Sequence, residues 1–167
     1  MHAVRKSEVK KLAKSNIFEA GAAEIPQLFA DYIENEPQDG MCVVLAISSA
    51  PLGPLERNAI EKSLVALGFG EESCTYALLA PPSEDDAVRL DARALFLLVE
   101  GLDPLRIIAA DAKTLDLLAD AYRMTVAPDS AMRIFGRPSA CFENLAVLLQ
   151  TDAGKQKAWA VFKTLAR

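Results

Sequence analysis

The stretch Leu105–Tyr122, LRIIAADAKTLDLLADAY, limits the folds open to this chain more than any other. Ile107-Ile108-Ala109-Ala110 is a short, uninterrupted apolar run, which predicts a strand buried on both faces. Leu115, Leu118, Ala119 and Tyr122 then recur at helical spacing, so the strand feeds straight into an amphipathic helix. A strand followed at once by a helix is half of a βαβ crossover, and it calls for a parallel sheet covered on both sides.

With 167 residues, 51% of them hydrophobic, the chain is long enough for one good core and short for two, so a single domain over 1–167 is expected. Within it, a helical segment over 1–40 would pack on an α/β core over 41–167. No apolar run is long enough to span a bilayer, and MHAVRKSEVKKLAKS has no signal-type apolar segment; the expectation is a cytoplasmic protein with no membrane partner. Cys42, Cys74 and Cys141 are odd in number and scattered through apolar sequence, which suggests core thiols and neither disulfides nor a metal knuckle. No cofactor is expected: G-x-G-x-x-G and G-x-x-x-x-G-K are both missing. The single histidine, His2, lies at the terminus, so neither a Ser-His-Asp triad nor a histidine-ligated metal is assembled. Residues 1–16 are basic and 17–40 acidic, within a net charge of -5 that opposes strong non-specific binding to phosphate.

Taken in order, the pattern predicts a basic helix at Ser7–Lys14 and a second helix at Glu24–Asn35, with Ile25, Leu28, Phe29, Tyr32 and Ile33 on one face. A strand follows at Met41–Ile47, then a helix from Pro54 to about Leu67, with proline in its first turn. A second strand is expected at Cys74–Leu79, and a helix through Leu95, Leu98 and Val99 leads to the central strand. A fourth strand is placed around Arg133–Phe135, with a turn at Gly136-Arg137-Pro138. Ala140–Phe142 either finishes that strand or begins the next turn. Leu145–Leu149 is helical, and Thr151 caps a last helix with Trp159, Phe162, Leu165 and Ala166 inward. The result is a three-layer α/β/α sandwich with a central four-stranded, mainly parallel sheet. Right-handed crossovers would put a ligand at the C-terminal strand edges, near Ser48, Ala80 and Asp111.

From Met41 onward the chain resembles the uracil-DNA glycosylase superfamily. The closest stretch is LLQTDAGKQKAWAVFKTLAR, in which Leu148, Leu149, Lys155 and Trp159 match the family's ending at the right spacing. LDPLRIIAADAKTLDLL and CTYALLAPP are similar to two of its strand segments. The resemblance implies the sandwich fold, but not the chemistry. Where the family has a G-E-x-P-G type loop, this chain has Ser48-Ser49-Ala50-Pro51-Leu52-Gly53, keeping Pro51 and Gly53 without the acid. The base-reading asparagine is missing from Tyr76–Pro82. The family's H-P-S loop falls on Asn144-Leu145-Ala146, so a neutral amide stands where a histidine would stabilise the leaving uracil anion. Gln150 replaces a common basic residue. The family's cluster-binding branches need four cysteines, so no iron–sulfur cluster is implied. The resemblance therefore implies a uracil-DNA-glycosylase-like domain that lacks the usual catalytic set and is not an active excision enzyme, with residual nucleic-acid or nucleobase binding as its role.

Ser48, Ser49, Pro51, Gly53, Ala80, Asp111 and Asn144 form the candidate crevice. Asp111 and Asn144 are its only candidates for chemistry, which would be N-glycosidic hydrolysis of glycosylase type. Each has a second reading as a helix N-cap, because each directly precedes a helix. Arg133, Arg137, Lys155 and Lys157 either track a phosphate backbone or form a solvated basic face. Glu84-Asp85-Asp86 lacks the spacing of a calcium loop. A function of a different class is also open: a non-enzymatic protein-interaction or dimerisation module, using the amphipathic N-terminal helices with Phe29, Tyr32 and Ile33, or an exposed sheet edge. A third is an enzyme acting on a small nucleobase-like substrate through Asp111.

Overall fold

A computed structural model describes residues 25–81 and 88–167. The Ser7–Lys14 helix, His2 and Glu84-Asp85-Asp86 lie outside the described residues. The fold is α/β, with a mixed five-stranded sheet in the order β2-β1-β3-β5-β4. The strands are β1 (Val44–Ser48), β2 (Cys74–Leu78), β3 (Arg106–Ala109), β4 (Ser130–Ile134) and β5 (Arg137–Cys141). β2, β1, β3 and β5 run parallel, and β4 is antiparallel to β5. The helices are α1 (Ile25–Leu28), α2 (Pro54–Ala66), α3 (Ala92–Leu102), α4 (Ala112–Tyr122), α5 (Leu145–Leu148) and α6 (Asp152–Phe162).

Alternation along the buried strands builds two cores. Leu45, Ile47, Ile107, Ala109 and Cys141 face the layer of α3 and α4, which Phe29 and Tyr32 join. Val44, Ala46, Ile108, Ala140 and Phe142 face α2, α5 and α6. Strands covered on both sides carry apolar residues at successive positions, and this gives β1 and β3 their unbroken runs. The two layers of helix complete the sandwich.

Four expectations need correction. The sheet has five strands, because the segment read as one strand and a turn is a hairpin. Its two loop residues, Phe135 (φ 52°) and Gly136 (φ 84°), both have positive φ, as a type I′ turn demands. Pro138 is tolerated inside β5. The closing pair Ile134:Arg137 exchanges hydrogen bonds, so the next pair, Arg133:Pro138, does not, and pairing with β3 begins only at Ser139. The helix expected over Glu24–Asn35 is broken into α1 and a 3-10 turn at Ala30–Tyr32. Ile33 then bridges Ala77, Glu34 N donates to Tyr76 O at 2.9 Å, and the Asn35 amide bonds both Cys74 O and Tyr76 N. Covering the edge of β2 outweighs continuing the helix. Phe29 and Tyr32 are buried, so that aromatic face belongs to the core and is not a free docking surface. In α6 the Phe162 and Leu165 side chains point inward as expected, whereas Ala166 is exposed and Trp159 is partly exposed, with the Lys163 ammonium 6.0 Å from its ring centre.

Thr151 caps α6 by accepting from Gly154 N at 3.0 Å. Gly154 is buried, and a Cβ there would lie 1.8 Å from Leu148 O, so the glycine is needed where α5 and α6 meet. Gly154→Ala must push that backbone aside, and it is expected to lower stability by about 3 kcal/mol. Urea unfolding followed by circular dichroism would read this as a lower midpoint.

Candidate functional site

The connection from β1 to β2 runs through α2 on one face of the sheet, and the return from β2 to β3 runs through α3 on the other. The chain therefore leaves β1 in opposite directions, and the topological switch point lies between the C-terminal ends of β1 and β3. Ser48-Ser49 ends one side and Ala110-Asp111 the other. Of the residues expected at the crevice, Ser49, Asp111 and Asn144 are joined here. Ser48 is buried, Ser49, Gly53, Ala80 and Asp111 are half-buried, and Pro51 and Asn144 are exposed.

The carboxylate of Asp111 is engaged through both oxygens. Oδ1 accepts from the Thr114 backbone N–H and from its hydroxyl, both at 2.9 Å, which caps α4. Oδ2 accepts from Ser49 N at 2.7 Å, tying the end of β1 across the switch point to the start of α4. Asp111 also forms an isolated antiparallel bridge with Asn144. The Asn144 Oδ1 accepts from Val147 N at 3.1 Å and caps α5. Gly53 is the residue before Pro54 at the start of α2, and its carbonyl accepts from Arg57 N at 3.1 Å. The residues with candidate chemistry thus spend their acceptor oxygens on the chain's own backbone.

Of the four basic residues, Arg137 is the most deeply engaged. Its guanidinium reaches both oxygens of Glu100 at 2.8 and 3.1 Å, Asp103 Oδ1 at 2.9 Å and Pro104 O at 2.8 Å. Tyr122 donates to the same Glu100 at 2.7 Å. Hydrogen bonding to the Glu100 carboxylate raises the Arg137 pKa, while burial, followed by that carboxylate, raises the Tyr122 phenol. Lys157 pairs with Asp129 at 3.4 Å, Lys155 stands 3.8 Å from Asp152, and Arg133 donates to Gly136 O at 2.9 Å. Glu100 was missed as a partner, although a lone acid in the apolar run ALFLLVEGL was a usable signal.

A cavity of about 610 Å³ lies at the opposite end of the strands, against Ile33, Glu34, Asn35, Glu36, Gly101 and Leu102. None of these belongs to the expected crevice. Among the described residues no cluster of three or more His, Cys, Asp or Glu is placed to hold a metal, and no helix is long and apolar enough to cross a membrane.

The sequence matches no protein-family model and no curated protein. What the domain does must therefore be argued from these contacts.

Asp111→Ala removes a cap and leaves Ser49 N–H without its acceptor, so a loss of about 2–3 kcal/mol is expected, against about 1 kcal/mol for the exposed Asn144 cap in Asn144→Ala. Chemical denaturation of the two variants would check the order. The three thiols give a second prediction. Burial pushes Cys42 up to about 11 and Cys141 up to about 12, and raises Cys74 as well. An unfolded thiol loses its proton near pH 8.5, at about 8.5 on the model-peptide scale. A folded-state pKa above that value favours folding fully below it, and the contribution is lost as pH rises towards 11. Native protein at pH 8 is expected to resist thiol-specific alkylation, all three cysteines reacting only in denaturant; rapid labelling of the folded chain would contradict the burial.

Proposed function

We propose that this chain is a uracil-DNA-glycosylase-like α/β domain that performs no base excision and acts by binding a protein. The observation that carries this reading is the engagement of Asp111. An excising enzyme must extrude a base, polarise a water and stabilise a departing anion. At the switch point, where such a site would be built, both carboxylate oxygens of Asp111 already accept from backbone N–H groups or the Thr114 hydroxyl. Asn144 retains a neutral amide that donates hydrogen bonds but carries no positive charge, and its oxygen is committed to α5. The closest stretch of likeness to the superfamily carries Leu148, Leu149, Lys155 and Trp159, none of which supplies an acid, a base or an oxyanion site, and the one acid at the switch point in the similar central segment is the bonded Asp111.

The alternative of a residual nucleic-acid role draws less support. Arg137 and Lys157 are paired within the domain, which leaves few cations to release counterions from a phosphate backbone.

The deciding experiment is base release from uracil-containing single-stranded and duplex DNA, using protein shown to be folded. No release above the enzyme-free control is expected from the wild type or from Asn144→Ala. Release by the wild type that Asn144→Ala abolishes would overturn the proposal. Binding to the same DNA is expected to be no tighter than non-specific contact, about 10⁻⁴ M at physiological salt.

A further inference from the structure

We propose that a second copy of this chain is the protein bound, and that two copies join antiparallel along β4 about a two-fold axis at Met132. The inference rests on the interaction-module reading and adds to it the surface and the partner. β4 is the last strand of the sheet, bonded to β5 on one side. Because Ile134:Arg137 closes a two-residue hairpin, the bonded pairs with β5 are Ile134:Arg137, Met132:Ser139 and Ser130:Cys141. The N–H and C=O groups of Ala131 and Arg133 therefore point away from the sheet. At the other end of the sheet the chain covers its edge with Ile33, Glu34 and Asn35. Among the described residues nothing pairs with the outer edge of β4. Ser130–Ile134 also contains no proline or bulge, and its one charged residue, Arg133, turns its guanidinium to Gly136 O at 2.9 Å.

The edge is complementary to itself. With Met132 opposite Met132 of the second copy, each Ala131 faces Arg133 of the other, and these are the residues whose backbone groups are turned outward. A small side chain then lies beneath a long one, on the exposed side of the strand. Asp129, which precedes the strand and already accepts from Lys157 Nζ and Glu143 N at 3.4 Å each, lies diagonally across from the incoming guanidinium in this register and adds an opposite charge. Such a short strand pair buries less than the roughly 1,200–2,000 Å² of a standard interface, so the association should be weak and concentration-dependent.

Sedimentation of the full chain from about 5 to 500 µM tests this, since a dimer's population follows protomer concentration. The wild type is expected to pass from monomer to dimer across the range. Ala131→Pro removes only an outward N–H and leaves the β4–β5 ladder intact; it should weaken the dimer at least tenfold while circular dichroism stays native. Ala131→Glu sets a carboxylate opposite Arg133 of the second copy and should tighten the dimer several-fold, and Ala131→Lys should loosen it. A wild type monomeric at the top concentration, or a dimer indifferent to Ala131→Pro and Ala131→Glu, would overturn the proposal. A monomer that also releases no uracil would remove the edge pairing alone, whereas uracil release abolished by Asn144→Ala would remove the interaction-module reading beneath it.

Discussion

The carboxylate of Asp111 holds together the part of this fold where the chain changes direction. One oxygen starts α4 and the other grips the backbone just beyond β1. A helix N-terminus presents unsatisfied N–H groups and a positive dipole end, and a buried strand end leaves an N–H of its own, so one anion between them satisfies both. In open α/β sheets this junction is where ligands usually enter. Here both oxygens are bonded within the chain, and they tie the end of β1 to the start of α4.

Much of this was legible in the sequence because the signals were local. The central strand and helix appeared within a residue or two of their positions, since an apolar run followed by 3.6-residue periodicity has few other interpretations. The Asp111, Asn144 and Thr151 caps were readable for the same reason: short acceptor side chains stood immediately before periodic helices. Phe135-Gly136 was obscure as a hairpin turn because phenylalanine is a poor occupant of the left-handed region, and Pro138 looked like a second turn residue. Ile33–Asn35 was misread because its spacing suits a helix, whereas the competing bonds come from Cys74 and Tyr76, remote in the chain. The bond from Ser49 to Asp111 spans a similar gap, so the sequence could place both residues at the crevice without revealing that they close on each other.

The hairpin is fixed by means a sequence pattern conceals. Phe135 stacks on Tyr122 and Phe96 at centroid separations of 5.7 and 6.4 Å, which holds the strained turn against the helical layer. Beside the same turn, Arg137 enters the Glu100, Asp103 and Tyr122 network. A half-buried cation with four acceptors is expensive to leave unpaired, so the ends of α3 and α4 and the start of β5 are bound to one arrangement.

The strand order also sets a schedule for assembly. β1 lies inside the sheet, and its Val44 pairs with Cys74 on one side and Arg106 on the other. A nascent chain therefore releases its most apolar strand first and must wait for two crossover helices before both flanks are filled. β4 and β5 alone among these strands are joined directly by a tight turn, and they emerge late. Non-local pairing of this kind folds slowly and leaves unpaired strands open to other chains. For this domain, the period between synthesis of β1 and arrival of β3 is when the polypeptide has the greatest need of protection.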